Sequence, residues 1–113
     1  MDIPSLLLER ARRDLELLER NKRRGDDLTK SRLVDFELVA NGEDGAKGAC
    51  HFVSAANYGQ SWVAVEDGVW KVWVRVSMPL ATEQLCRVSG LMAVIAAQFG
   101  LRYDGWGCFL QTT

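Results

Sequence analysis

The sequence predicts an α+β fold in which one helix precedes a β-α-β-β-α-β core. Three observations carry this expectation. Apolar residues recur at helical spacing before residue 25 and after residue 82. Between them, residues 32–40 alternate at period two, with Val34, Phe36 and Leu38 set against Asp35 and Glu37. Asp67-Gly68 then joins two strand-like runs, a dipeptide that favours the two-residue hairpin because both positions tolerate positive φ.

Taken in order, residues 4–24 read as a helix. Asp2 is placed to cap it, Pro4 suits its first turn and Gly25 ends it. Leu7, Ala11, Leu15 and Leu18 form its apolar stripe. Glu9 with Arg13, Glu16 with Arg20, and Glu19 with Arg23 are acid-before-base pairs four residues apart. Lys22-Arg23-Arg24 complements the dipole at its end. Gly25-Asp26-Asp27 reads as a simple loop. A strand follows over 32–40 and stops at Asn41-Gly42.

Residues 43–58 read as a helix on the spacing of Ala46, Ala49, Cys50, Val53 and Ala56, although Gly45 and Gly48 each weaken it by about 1 kcal/mol relative to alanine. Its small residues would let it lie close to a sheet. Residues 60–66 and 69–78 are strands, the second ended by Pro79. Thr82 is expected to cap the next helix, whose stripe is Leu85, Val88, Met92, Ile95 and Phe99, closed by Gly100. Residues 101–110 read as a last strand, with Leu101, Tyr103 and Phe109 on one side. Gly105 and Gly107 inside it suggest a bulge that turns Trp106 away from simple alternation. This order is the ferredoxin-like arrangement, with both core helices on one face of an antiparallel sheet and the N-terminal helix as an addition.

Composition limits what such a domain could do. With 113 residues, 48% apolar and 26% charged, the chain suits one ordinary globular domain, 1–113, with its core at 32–110. Its net charge is −1, and the first thirty residues mix eight basic with seven acidic groups. General nucleic-acid binders are usually clearly basic, so nothing here demands such a partner. Cys50, Cys86 and Cys108 are too few and too scattered for a disulfide framework, which points to free thiols in a reducing compartment. The run Ser5-Leu6-Leu7-Leu8 turns charged at Glu9, too short for a leader, and no stretch approaches the ~20 apolar residues of a membrane span. A cytoplasmic protein without membrane association is expected.

Catalytic motifs are poorly supported. Cys50 and His51 are neighbours and would point about 100° apart on a helix, so neither a metal site nor a nucleophile–base pair is expected. Asp35 and Glu37 share a strand face and could act as acid and base, but Lys71 and Arg75 should share that face as cross-strand partners. No phosphate-cradling glycine motif is present. No cofactor is expected.

The sheet's second face is more informative. Trp62, Lys71, Trp73 and Arg75 should lie opposite the core helices. Aromatics interleaved with cations suit a single-stranded RNA platform, although the usual signature run of such platforms is missing from 69–76. Tryptophan and arginine are equally the residues of protein-binding hot spots. A competing expectation is that the N-terminal helix covers these tryptophans.

Tyr103-Asp104-Gly105-Trp106-Gly107, after a helix ending in Phe99-Gly100, resembles the C-terminal signature of the regulator of ribonuclease E activity B family. Leu18-Glu19-Arg20-Asn21, Gly25-Asp26-Asp27-Leu28 and Arg32-Leu33-Val34-Asp35-Phe36 are similar to that family's helix, loop and first strand. The likeness runs from about residue 15 to 110. It implies a non-catalytic, cofactor-free ferredoxin-like regulator. The implied partner is a protein, ribonuclease E, bound through its scaffolding portion so that RNA decay is altered. Tyr103, Asp104, Gly105 and Trp106 join the four open-face residues as candidate contacts. The better-known members are strongly acidic and carry an acidic tail, whereas this sequence is near neutral and reads Gln111-Thr112-Thr113 at that point.

Overall fold

The computed structural model describes residues 2–112; Met1 and Thr113 lie outside the described residues. Three helices and four strands run α1 (Ile3–Arg23), β1 (Arg32–Ala40), α2 (Glu43–Ala55), β2 (Gln60–Glu66), β3 (Val69–Met78), α3 (Thr82–Phe99) and β4 (Arg102–Gly107). The strands form one sheet in the order β2-β3-β1-β4, antiparallel throughout. An N-terminal helix is thus added to a ferredoxin-like core.

The core follows the alternation of β1. Val34, Phe36 and Leu38 are fully buried with Val72 and Val74 of β3, against Ala46, Ala49 and Val53 of α2 and Leu85, Met92 and Ile95 of α3. Asp67 and Gly68 take φ of 52° and 77°, the paired positive values that a tight hairpin needs. Gly100 closes α3 in the left-handed conformation. The expected cap at Thr82 is displaced by one residue. Ala81 holds the N-cap position without a side-chain bond, and Thr82 is already helical. The helix expected over 43–58 stops at Ala55, because Asn57 turns to a φ of 59°.

The N-terminal helix departs further from expectation. Asp2 does cap it, accepting from Ser5 N at 2.7 Å, and Glu9 does pair with Arg13 at 3.1 Å. Glu16, however, pairs with Arg12 at 2.8 Å instead of Arg20. Its inward face is only partly the Leu7-Ala11-Leu15-Leu18 stripe, with Leu18 buried and Leu7 and Ala11 half-buried. The buried residues are Arg10, Asp14, Leu18 and Asn21, while Leu15 is exposed. That polar face packs along α3, and α1 lies against no strand at backbone distance. The helix therefore extends the helical layer and leaves the other face of the sheet uncovered.

The expected strand over 101–110 ends at Gly107. Phe109, expected beside Leu101 and Tyr103, is 87% exposed beyond the strand. The bulge is present. Glu37 pairs with Gly105 and Leu38 with Tyr103, which leaves Asp104 as the extra residue. Gly105 takes a φ of 105°, a value that side chains strain to adopt.

Candidate functional site

The cross-strand register builds the open face. Trp62 pairs with Trp73, Trp73 with Glu37, and Arg75 with both Gln60 and Asp35. Arg75 donates to both oxygens of Asp35, at 2.7 and 2.9 Å, while its guanidinium lies 5.2 Å from the centre of the Trp62 ring. Lys71 reaches Glu37 at 3.1 Å and Glu66 at 3.2 Å, with its ammonium 5.9 Å from the Trp73 ring centre. Trp73 Nε1 donates to Glu66 at 2.9 Å. Glu37, then Glu66, holds the Lys71 ammonium above its ordinary pKa, and Asp35 does the same for Arg75. Trp73 and Lys71 in turn hold the Glu66 carboxyl down. The cross-strand ion pairs expected for Asp35 and Glu37 with Arg75 and Lys71 are therefore present. Each carboxylate is occupied by a cation on the neighbouring strand.

Four of the candidate residues, Trp62, Lys71, Trp73 and Arg75, thus form one partly exposed, interlocked array. Beside it lies a groove of about 500 Å³ lined by Leu33, Trp73, Arg75, Gly107 and Phe109 among others. Its lining is mainly apolar, and it ends at the free edge of β4.

The other four candidates are arranged differently. Tyr103 and Trp106 stand opposite Leu38 and Phe36, so the bulge turns both toward the helices even though they are three residues apart. Trp106 Nε1 donates to Asp14 of α1 at 3.0 Å. The Tyr103 hydroxyl meets Ser89 of α3 at 2.8 Å, and the Arg10 guanidinium lies 4.8 Å from its ring centre. Asp14 is fully buried, and its Oδ1 lies 3.6 Å from Arg10 Nε. Burial raises the Asp14 carboxyl above its ordinary range, against the opposing pull of Ser89, Trp106 and Arg10. Burial likewise raises the Tyr103 hydroxyl. Asp104 projects at the exposed edge and Gly105 supplies the bulge. Tyr103 and Trp106 are thereby positioned as the latch that fastens α1.

A second tie was not legible in advance. Asp26, read as a plain loop residue, is buried. Its two oxygens accept from Arg32 at 2.7 Å each, from Asn21 at 3.3 Å and from Gln111 N at 3.1 Å. The end of α1, the start of β1 and the segment after β4 meet on this one carboxylate. Asp27 closes the loop by accepting from Thr29 N and Oγ1. The only advance signal was the Gly25-Asp26-Asp27 run itself.

Cys50, Cys86 and Cys108 are free and partly buried. Cys50 bonds Ser61, and burial raises the Cys86 and Cys108 thiols. Among the described residues no three metal-ligating side chains come together. No helix among them is long and apolar enough to cross a membrane.

The family model for regulator of ribonuclease activity B, RraB, matches residues 12–108. The chain belongs to the RraB family. None of the curated proteins matches it by sequence. RraB is a family of regulators of ribonuclease activity. The matched span begins inside α1 and ends just past β4. It therefore contains the open-face array, the Asp14–Trp106 bond and the Asp26–Arg32 pair. The two segments that carry the resemblance to RraB, around Asp26 and around Trp106, are the two places where α1 is tied to the core.

Proposed function

We propose that this RraB protein binds ribonuclease E, or the scaffold that ribonuclease E organises, through the open face of its sheet and thereby restrains RNA decay. The observation that carries this reading is the uncovered Trp62–Trp73 pair with Arg75 and Lys71 fixed over the rings. Aromatic and arginine side chains already held in place lose little entropy when a partner docks. The adjoining apolar groove offers a seat for a partner's side chain. Residues 1–113 act as one unit in this reading, because the Asp26 tie joins the end of α1 and the segment after β4 to β1. Three free thiols support a reducing cytoplasmic setting.

The single-stranded RNA reading is weaker on the same geometry. Lys71 and Arg75 are already engaged by Glu37, Glu66 and Asp35, so a phosphate would have to displace carboxylates to reach them. Stacking on the tryptophans alone lacks the electrostatic component that dominates nucleic-acid affinity.

The test uses purified ribonuclease E with its scaffold region and a fluorescent RNA substrate. Added RraB protein is expected to bind the enzyme and slow cleavage. The Trp62→Ala/Trp73→Ala double variant should keep its fold and bind at least about 30-fold more weakly, the loss of one strong hot spot. No association with the enzyme, or undiminished binding by the double variant, would remove the proposal.

A further inference from the structure

A separate cleft of about 370 Å³ opens between the N-terminal half of α1, the last turns of α3 and the start of β4. Its size is at the lower end for small-molecule sites. Ala93, Ala96 and Ala97 line it with Leu6 and Leu101, so small side chains of α3 leave an apolar hollow there. Arg10 also lines it, with its side chain 10% exposed. Among the described residues, two buried side-chain polar atoms lack a hydrogen-bond partner, and they are Arg10 Nε and Asp14 Oδ2. Both belong to the one ion pair behind this cleft. Arg10 Nε is sealed from solvent, so a ligand in the cleft can meet only the terminal nitrogens of the guanidinium, at the exposed tenth of the side chain.

We propose that this cleft is a binding site for a small monocarboxylate with a short apolar tail, the carboxylate held by Arg10 and the tail lying on the alanine floor. The proposal does not rest on the partner-binding reading, since the cleft is on the helical layer and not on the open face. Arg10 is fixed for the task. Its guanidinium stacks 4.8 Å from the Tyr103 ring centre, and its planar fork matches a carboxylate. Asp14 does not satisfy it, because the closest approach is 3.6 Å. The rim decides the charge of the ligand. Arg13 and Arg102 there are each paired, with Glu9 at 3.1 Å and with Asp104 at 3.7 Å. Two carboxylates at the mouth oppose a doubly charged phosphate more than a single carboxylate.

The full chain is titrated with hexanoate, with hexanamide as its neutral counterpart and with inorganic phosphate. Binding is followed by the NMR signals of Arg10 Nε–H and Trp106 Nε1–H. Hexanoate should bind saturably and shift both signals, and hexanamide should bind about tenfold or more weakly for want of the charged hydrogen bond. Two variants separate the parts of the site. Arg10→Met should abolish the preference for hexanoate over hexanamide. Ala97→Leu, at an exposed helical position on the cleft wall, should keep the fold and block both ligands by filling the hollow. Hexanamide binding as tightly as hexanoate, phosphate binding more tightly than either, unchanged affinity in Ala97→Leu, or no saturable shift with hexanoate would each overturn the assignment.

Discussion

Asp14 concentrates the consequences of burying charge in a small protein. It is fully buried, accepts from Trp106 and lies beyond hydrogen-bond distance of Arg10. Desolvation raises its pKa from an ordinary value near 3.8, so the folded protein holds the proton more tightly than the unfolded chain does. The stability this confers is complete below the ordinary value and is lost as pH rises through the raised one. Asp14→Asn keeps an acceptor for the Trp106 indole but cannot titrate. The stability of the wild type relative to Asp14→Asn should therefore fall as pH is raised from about 4 toward neutrality, with a slope of up to about 1.4 kcal/mol per pH unit. Urea denaturation of both proteins across that range measures it. A difference that is flat, or that grows with pH, would show that the Arg10 charge outweighs desolvation.

Among the elements, α1 depends most on specific bonds. Its backbone lies close to α3 alone, and its inner face carries Arg10, Asp14 and Asn21 beside Leu18. Its attachment therefore relies on the Trp106 bond and on the Asp26 tie. In that tie Arg32 and Asp26 have side-chain exposures of only 2% and 0%. Removing one partner of such a pair leaves the other charge buried and unmatched, which costs about 3–5 kcal/mol. Asp26→Ala should destabilise by that order and raise hydrogen exchange along the C-terminal turns of α1 and at Gln111 before the β1–β3 ladder exchanges. Equal loss of protection across the sheet would mean that α1 and the core open as one unit. The bulge at Asp104 belongs to the same scale. It turns Tyr103 and Trp106 to one side of β4, and without it only one of them could reach the helices.

At the scale of the whole molecule, the added helix joins the layer that already holds α2 and α3. That placement leaves a two-layer protein with one sheet face free. The charges of that face are matched internally, with Asp35 on Arg75 and with Glu37 and Glu66 on Lys71. Such a surface gains little from long-range attraction, so association with its protein partner should respond weakly to salt. Between 50 and 200 mM salt the affinity is expected to change less than about tenfold, against the roughly thousandfold or greater loss of a protein that neutralises many phosphates. Calorimetric titration at several salt concentrations checks this. A steep dependence would return the open face to the nucleic-acid reading.

The elements and their order were legible without coordinates. Period-two alternation marked β1, helical spacing marked α3, and Asp67-Gly68 marked the hairpin, because backbone preference and apolar patterning act over a few residues. Membership of a regulator family was also legible in Tyr103-Asp104-Gly105-Trp106-Gly107. The tertiary structure alone decided which face of α1 turns inward, where that helix docks and what Asp26 and Trp106 do. Apolar periodicity reveals burial only when the buried groups are apolar, and the inner face of α1 is largely polar. Asp14 finds Trp106 across 92 residues and Asp26 finds Gln111 across 85. Local spacing cannot report such partners, since each bond exists only after the sheet has brought β4 beside β1.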